Sequence, residues 1–275
     1  MLAPPAVARG RQTRRRAGAD FGLPPRKGSR RGRLSGQAAG RYIPDMAATF
    51  EMTEYDQCEL ERLLEEIHQE AVETREYTGR AAFDPRVLAA LRSVPRHAFV
   101  PVQMRQRAYG NHPLPIGHGQ TISQPYIVAL MTDLIDPGPD DVVLEVGTGS
   151  GYQAAVLASL VKQVYTMDIV DALARDAEAR LRRLGYDNVE VRSGNGSLGW
   201  PEHAPYDAIL VAAATPAIPP ALVAQLKPGG RLVIPLGAAH EAQELRVLDK
   251  DLQGRLHEHG VLPVAFVPLT GADDG

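Results

Sequence analysis

The 275-residue chain has one cysteine, Cys58, so no internal disulfide can form, which fits a reducing compartment such as the cytoplasm. No stretch approaches the ~20 apolar residues of a membrane helix. No apolar segment follows the early arginines, as a secretory signal requires. No Cys/His group has metal-ligand spacing, so no metal is expected. No internal repeat is present. Acidic residues are almost missing from the first 45 positions, which hold Asp20 and Asp45 against 11 of the 30 Lys and Arg. Arg14-Arg15-Arg16, Arg30-Arg31 and Arg33 lie among Gly, Pro and Ser without apolar periodicity, so residues 1–50 read as a disordered basic tail. Contact with nucleic acid is open only to this tail. The other readings are a passive extension, or translation that really begins at Met46 or Met52. The remaining body carries 19 basic and 31 acidic residues.

What is present is organised around Asp141–Tyr152. Val142, Val143, Leu144 and Val146 make a nearly continuous apolar run, as in a parallel strand covered on both faces. Gly147, Gly149 and Gly151 follow at once, and then a helix. Glycines let the chain turn sharply and let a ligand approach bare backbone. Such a turn alone serves a dinucleotide, a nucleoside or only tight packing. The spacing is Gly-x-Gly-x-Gly, unlike the dinucleotide Gly-x-Gly-x-x-Gly. Gln163–Asp168 reads as a second strand ending in a carboxylate, placed to accept hydrogen bonds from a ribose. These features point to a nucleoside cofactor without a required pyrophosphate, and S-adenosyl-L-methionine fits. A ligand-free βαβ unit is the alternative.

Along the chain, Leu60, Leu63, Leu64 and Ile67 recur at helical spacing. Asp84-Pro85 opens a second helix, an N-cap followed by proline, which Pro95 ends. Phe99–Gln124 reads as a long irregular loop, and such loops inside compact domains are usually functional. A helix bearing Ile127, Leu130, Met131 and Leu134 follows. Residues 51–138 therefore form an N-terminal helical cap with an active-site loop, and 139–275 an α/β domain. In the latter we expect strands at Val142–Val146, Val164–Asp168, Val189–Arg192, Ala208–Ala213 and Arg231–Pro235, alternating with helices in a doubly wound, mostly parallel sheet. Glu244–Asp249 and Val264–Leu269 are expected to pair antiparallel at its C-terminal edge.

Several motifs together resemble the protein-L-isoaspartate O-methyltransferase family. They are Val94–Pro101, Pro113–Pro125, Glu145–Tyr152, Pro228–Pro235 and Phe266–Leu269, with Pro113-Leu-Pro-Ile-Gly-His-Gly-Gln-Thr-Ile-Ser-Gln-Pro125 the most specific. The resemblance implies a Rossmann-like methyltransferase sheet. It also implies methyl transfer from S-adenosyl-L-methionine to the α-carboxylate of L-isoaspartyl residues in damaged proteins, the ester then collapsing to a succinimide. The family's active-site serine falls on Ser123. The cofactor-binding positions fall on Thr121, Ile122, Ser123, Gln124, Glu145, Gly147, Thr148, Gly149, Ser150, Asp168, Ile169, Gly194 and Asn195. Three positions depart from the family pattern. Asp168 stands where a glutamate is expected, Asn195 where an aspartate is usual, and Ala212 where a threonine is common. These departures bear on cofactor affinity more than on reaction class.

The chemistry suits the residues. An α-carboxyl group has a pKa of roughly 3.3–3.7, so the nucleophile is already ionised at neutral pH and needs no general base. The site must position the reactants, which can account for ~7–11 kcal/mol of barrier. Ser123 would orient a substrate carboxylate. On pattern alone it could instead N-cap the Gln124–Ile135 helix, and both roles can hold. Glu145 is expected at the methionine or ribose end of the cofactor, or as a buried carboxylate capping the glycine turn. His112 and His118 read as loop polar groups, and Tyr126 and Trp200 as pocket or packing aromatics. Competing readings are a methyltransferase for another carboxylate and a non-catalytic adaptor. A monomer is the default assembly.

Overall fold

Thr53 starts the first helix, α1 (Glu54–Thr78), in a reciprocal cap: its hydroxyl oxygen accepts from the Asp56 N–H and the Asp56 carboxylate accepts from the Thr53 N–H. The computed structural model describes residues 52–238 and 241–271. The basic tail of residues 1–50 lies outside the described residues. Helix α2 (Pro85–Ser93) has the expected Asp84 cap, whose carboxylate accepts from the Arg86 N–H at 2.7 Å.

The segment read as an irregular loop is more ordered than expected. It holds short 3-10 turns at Arg96–Phe99 and Val102–Arg107, then a hairpin of β1 (Leu114–Gly117) and β2 (Gln120–Ile122). Gly117, His118 and Gly119 all have positive φ, which closes the turn. Strands of four and three residues are too short for alternation to show in sequence. Helix α3 (Pro125–Leu134) follows.

The main sheet is β3 (Val142–Val146), β4 (Gln163–Asp168), β5 (Val189–Ser193), β6 (Tyr206–Val211), β7 (Leu226–Leu236), β8 (Gln243–Lys250) and β9 (Leu256–Val264). Their spatial order is β5-β4-β3-β6-β7-β8-β9. Pairing is parallel from β5 through β7 and antiparallel for β7/β8 and β8/β9. Helices α4 (Tyr152–Ala158), α5 (Asp171–Arg183) and α6 (Pro220–Gln225) complete the fold, the doubly wound sheet with an antiparallel edge that the sequence implies. Both faces of the central strands are covered. Val143, Ala208 and Val233 join the core shared with α1, α2 and α3, while Leu144, Ile209 and Leu232 join a second cluster with Trp200 and Leu222. This two-sided burial is why these strands read as continuous apolar runs. Among the described residues, no helix is long and apolar enough to cross a membrane.

The final strand is not where the sequence placed it. Leu256–Val264, read as a polar connection, is the edge strand β9, and only Val261 in it is buried. An edge strand facing water carries little apolar signal. Val264–Leu269 instead crosses the carboxyl end of the sheet. The Ala214 N–H donates to the Val267 carbonyl at 2.8 Å, and the Leu269 N–H to the Ala214 carbonyl at 2.6 Å.

Candidate active site

The strand order reverses at β3: the chain goes out through β4 and β5 and returns to β6 on the other side. Ligands of open α/β sheets bind outside the carboxyl ends of the strands at such a switch point. There β3 runs into the glycine turn. Gly147 and Gly151 have φ of +97° and +84°, which other residues rarely adopt. A Cβ on Gly151 would also press on Leu181 of α5 at 3.1 Å.

Asp168, at the tip of β4, holds this turn. One carboxylate oxygen accepts from the Gly149 N–H at 2.8 Å and the other from the Val170 N–H at 2.9 Å. The Gly147 N–H donates to the Met167 carbonyl at 2.8 Å. Beneath the turn, the Thr148 and Thr166 hydroxyls are 2.7 Å apart, and Thr166 donates to Glu145 Oε2 at 2.6 Å. Glu145 is completely buried, and its Oε1 has no partner. Burial pushes its carboxyl up to about 8; the Thr166 hydrogen bond opposes this and the Asp168 charge adds to it. Glu145 is therefore an oriented acid with one unmet oxygen, poised to ionise beside a positive charge.

A cavity of about 780 Å³, open solvent at its mouth included, lies over this turn. Thr121, Ile122, Ser123, Glu145, Gly147, Thr148, Gly149, Ser150, Asp168 and Ile169 line it, all anticipated from the sequence. Gln124, Gly194 and Asn195 do not. The Gln124 amide turns to Glu70 of α1. The Gly194 N–H donates to the Asp168 carbonyl at 2.9 Å. The Asn195 amide is spent internally: Oδ1 accepts from the Ser197 N–H and hydroxyl, and Nδ2 donates to the Gly271 carbonyl at 2.7 Å. The neighbouring Gly196 lines the cavity instead, and a Cβ there would collide with Val146.

A second cavity adjoins the first, lined by Glu70, Pro113, Gln124, Tyr126 and the Leu262–Val267 segment, among others. Thr121, Ser123, Ala212 and Val267 line both. Ser123 sits on this common wall, between β2 and α3, and it is not a helix cap. Gln124 occupies the cap position of α3 without a side-chain bond, and the Tyr126 N–H is satisfied by Asn111 Oδ1 at 3.0 Å. The Ser123 hydroxyl has no protein partner among the described residues, which leaves it available to a ligand.

Two groups fall in segments noted above as motifs, with no role at the site expected of them. Arg96 is completely buried, and its guanidinium donates to the carbonyls of Ala108 and Ser123 at 2.8 and 2.9 Å, 4.9 Å above the Tyr152 ring. Burial lowers it to about 10, so it stays charged at neutral pH. The second is Val267–Thr270, which closes one side of the first cavity. Neither role is legible locally, because each group acts on residues far away in the chain.

Comparison with known proteins agrees with this arrangement. Residues 67–274 match the family described as protein-L-isoaspartate(D-aspartate) O-methyltransferase. The chain is 58% identical over 210 residues to protein-L-isoaspartate O-methyltransferase 2 of Syntrophobacter fumaroxidans, covering 76% of this chain and 85% of that one. It is 60% identical over 209 residues to the protein of the same name from a Polaromonas species, covering 76% and 99%. Among solved structures, it is similar to a putative protein-L-isoaspartate O-methyltransferase from Plasmodium falciparum in complex with S-adenosyl-L-homocysteine. That match has a TM-score of 0.64 and 25% identity, and covers 77% of this chain and 98% of that one. The motifs, the sheet order and these similarities agree: the chain belongs to the protein-L-isoaspartate(D-aspartate) O-methyltransferase family.

Proposed function

We propose that the chain repairs damaged proteins by methylating the α-carboxylate of L-isoaspartyl residues from S-adenosyl-L-methionine, with the first cavity holding the cofactor and the second the isoaspartyl segment. The observation that carries this assignment of the cavities is their common wall of Thr121, Ser123, Ala212 and Val267. Methyl transfer needs donor and acceptor in near contact with water excluded, and two compartments meeting at one wall suit that need.

The residues of the first cavity fit the cofactor. Asp168 supplies a carboxylate at the ribose position of such folds. Glu145 offers an unmet oxygen to a positively charged group. The glycine turn brings backbone close. When bound, the cofactor supplies a methyl carbon on a sulfonium, open to displacement. The chain's own part is positioning. The Ser123 hydroxyl, free of protein partners among the described residues, donates to one oxygen of the acceptor carboxylate. Arg96 holds the Ser123 backbone in place. Val267 and Ala212 present apolar surface at the junction and keep water out. No group has to remove a proton, since the acceptor is already ionised.

A monomer is the default assembly in this reading. The single cysteine supports a cytoplasmic setting. Any contact with nucleic acid would fall to the basic residues 1–50. The test is methyl transfer from labelled S-adenosyl-L-methionine to paired isoaspartyl and aspartyl peptides, with Ser123→Ala alongside. Labelling of the isoaspartyl peptide alone, strongly reduced by the substitution, is the expected result. Labelling of neither peptide by a protein that still binds the cofactor would point to a different acceptor.

A further inference from the structure

Helix α1 brings one carboxylate into the second cavity. Among the described residues that line it, Glu70 is the only charged side chain. Its position is fixed from two sides. Asn111 Nδ2 donates to Oε2 at 2.8 Å, and Gln124 Nε2 reaches Oε1 and Oε2 at 3.2 and 3.0 Å. Asn111 is itself held, its Oδ1 accepting from the Tyr126 N–H at 3.0 Å. Three other acids of α1 face cations: Glu59 and Glu66 pair with Arg62, and Glu61 with Arg92. Glu70 has two neutral amides and, among the described residues, no ion pair. Burial raises its pKa, and the nearby Glu73 and Glu66 charges act in the same direction.

The place of this charge matters. Gln124, whose amide holds the carboxylate, directly follows Ser123 on the wall between the cavities. A peptide in extended form advances roughly 3.3–3.6 Å per residue. Ser123 and Glu70 line the same second cavity, so a side chain next to an isoaspartyl residue held at Ser123 would enter the space that Glu70 faces. The carboxylate cannot help the acceptor, which is an anion and needs no base. Its effect falls on what flanks the acceptor.

We infer that Glu70 is a specificity-determining residue, favouring isoaspartyl segments with a lysine or arginine beside the isoaspartyl residue and disfavouring those with an acidic neighbour. The attraction is the pairing of a fixed, half-buried carboxylate with a cation, and the penalty is like-charge repulsion in the same place. The inference rests on the second cavity receiving the peptide.

The test compares isoaspartyl peptides identical except for Lys, Gln or Glu at each flanking position, with the wild-type protein, Glu70→Asp and Glu70→Gln. The quantity read is the ratio of kcat/KM for the Lys peptide to that for the Glu peptide, within each protein, so that a general loss of activity cancels. In the wild type this ratio should exceed one at one flanking position at least. Glu70→Gln should lower it by about three- to tenfold, the range of a partly buried charge pair. Glu70→Asp should keep most of it, and added salt should shrink it in the wild type. A ratio that does not respond to Glu70→Gln at either position overturns the inference while leaving the methyltransferase reading intact. Failure of the wild type on every isoaspartyl peptide would count against that reading first and remove the basis of the inference with it.

Discussion

The guanidinium of Arg96 lies 2.9 Å from the backbone carbonyl of Ser123, and it spends its charge on carbonyls rather than on a carboxylate. Arg96 forms no ion pair among the described residues, although it is completely buried. A buried cation without a counter-charge carries a large desolvation cost. Here that cost is offset by charge-assisted hydrogen bonds to two loop segments and by the Tyr152 ring below. The geometry makes Arg96 a positioning residue for Ser123.

Arg96→Lys should therefore lower kcat by about tenfold while changing cofactor affinity much less, because one ammonium cannot serve two carbonyls in fork geometry. Arg96→Met should destabilise the fold by about 2–5 kcal/mol, since two buried carbonyls lose their donor. Steady-state kinetics and denaturant unfolding measure the two effects. If Arg96→Lys lowered kcat equally in the wild type and in Ser123→Ala, the coupling between the two residues would be refuted.

Ser123→Ala should leave stability within about 0.5 kcal/mol, because the hydroxyl caps no helix. It should reduce turnover by about 10- to 100-fold, the loss of one hydrogen bond to a charged group. Cofactor affinity, read by calorimetry, should change by less than about threefold. A large drop in melting temperature would show that the hydroxyl has a structural role after all.

Glu145 should make both stability and cofactor binding depend on pH. Its folded carboxyl is pushed up to about 8 from an ordinary 4.5. Between those values the folded chain keeps a proton that the unfolded chain releases. The stability this group contributes is thus fully present below pH 4.5 and is lost as pH rises through about 8. Glu145→Gln removes the titration and should flatten that fall. A positively charged cofactor favours the ionised form, so affinity should rise with pH toward about 8 and release a proton on binding. In Glu145→Gln, affinity should be weaker and nearly independent of pH. Calorimetry in two buffers of different ionisation enthalpy would detect the proton; no release from the wild type would rule out this role.

Asn195→Asp should loosen the C-terminal crossing. The Asn195 amide nitrogen donates to the Gly271 carbonyl, and a carboxylate oxygen in its place can only repel it. The acceptor half of the side chain, bonded to Ser197, would be kept. Faster cofactor dissociation in stopped flow, by about three- to tenfold, is the expected outcome, roughly the worth of one hydrogen bond. An unchanged rate would mean that the Gly271 contact does not hold the segment over the cavity.

The sequence was most informative where one strand or turn carries its own signal. The β3 run, the positive-φ glycines and the carboxylate at the end of β4 are local features, and all three meet at the cavity floor. The hairpin at Leu114–Ile122 stayed hidden because strands of four and three residues are too short for alternation to stand out. Strand β9 stayed hidden because one face meets water and its partner is the only guide to it. Ser123 looked like a cap because it precedes a proline-started helix, and Asn111, distant in sequence, took that role. Arg96 and Glu70 acquire their meaning only from groups brought to them by folding.

The crossing at Val267–Thr270 also sets an order of events during synthesis. Strands β3 to β7 and the glycine turn all precede this segment in the chain and are synthesised before it. One wall of the first cavity, and Val267 at the junction with the second, is then missing. Ligand binding stabilises a fold only once its site exists. The nascent chain can therefore gain the cofactor's share of stability only after Val267–Thr270 has emerged and crossed the sheet.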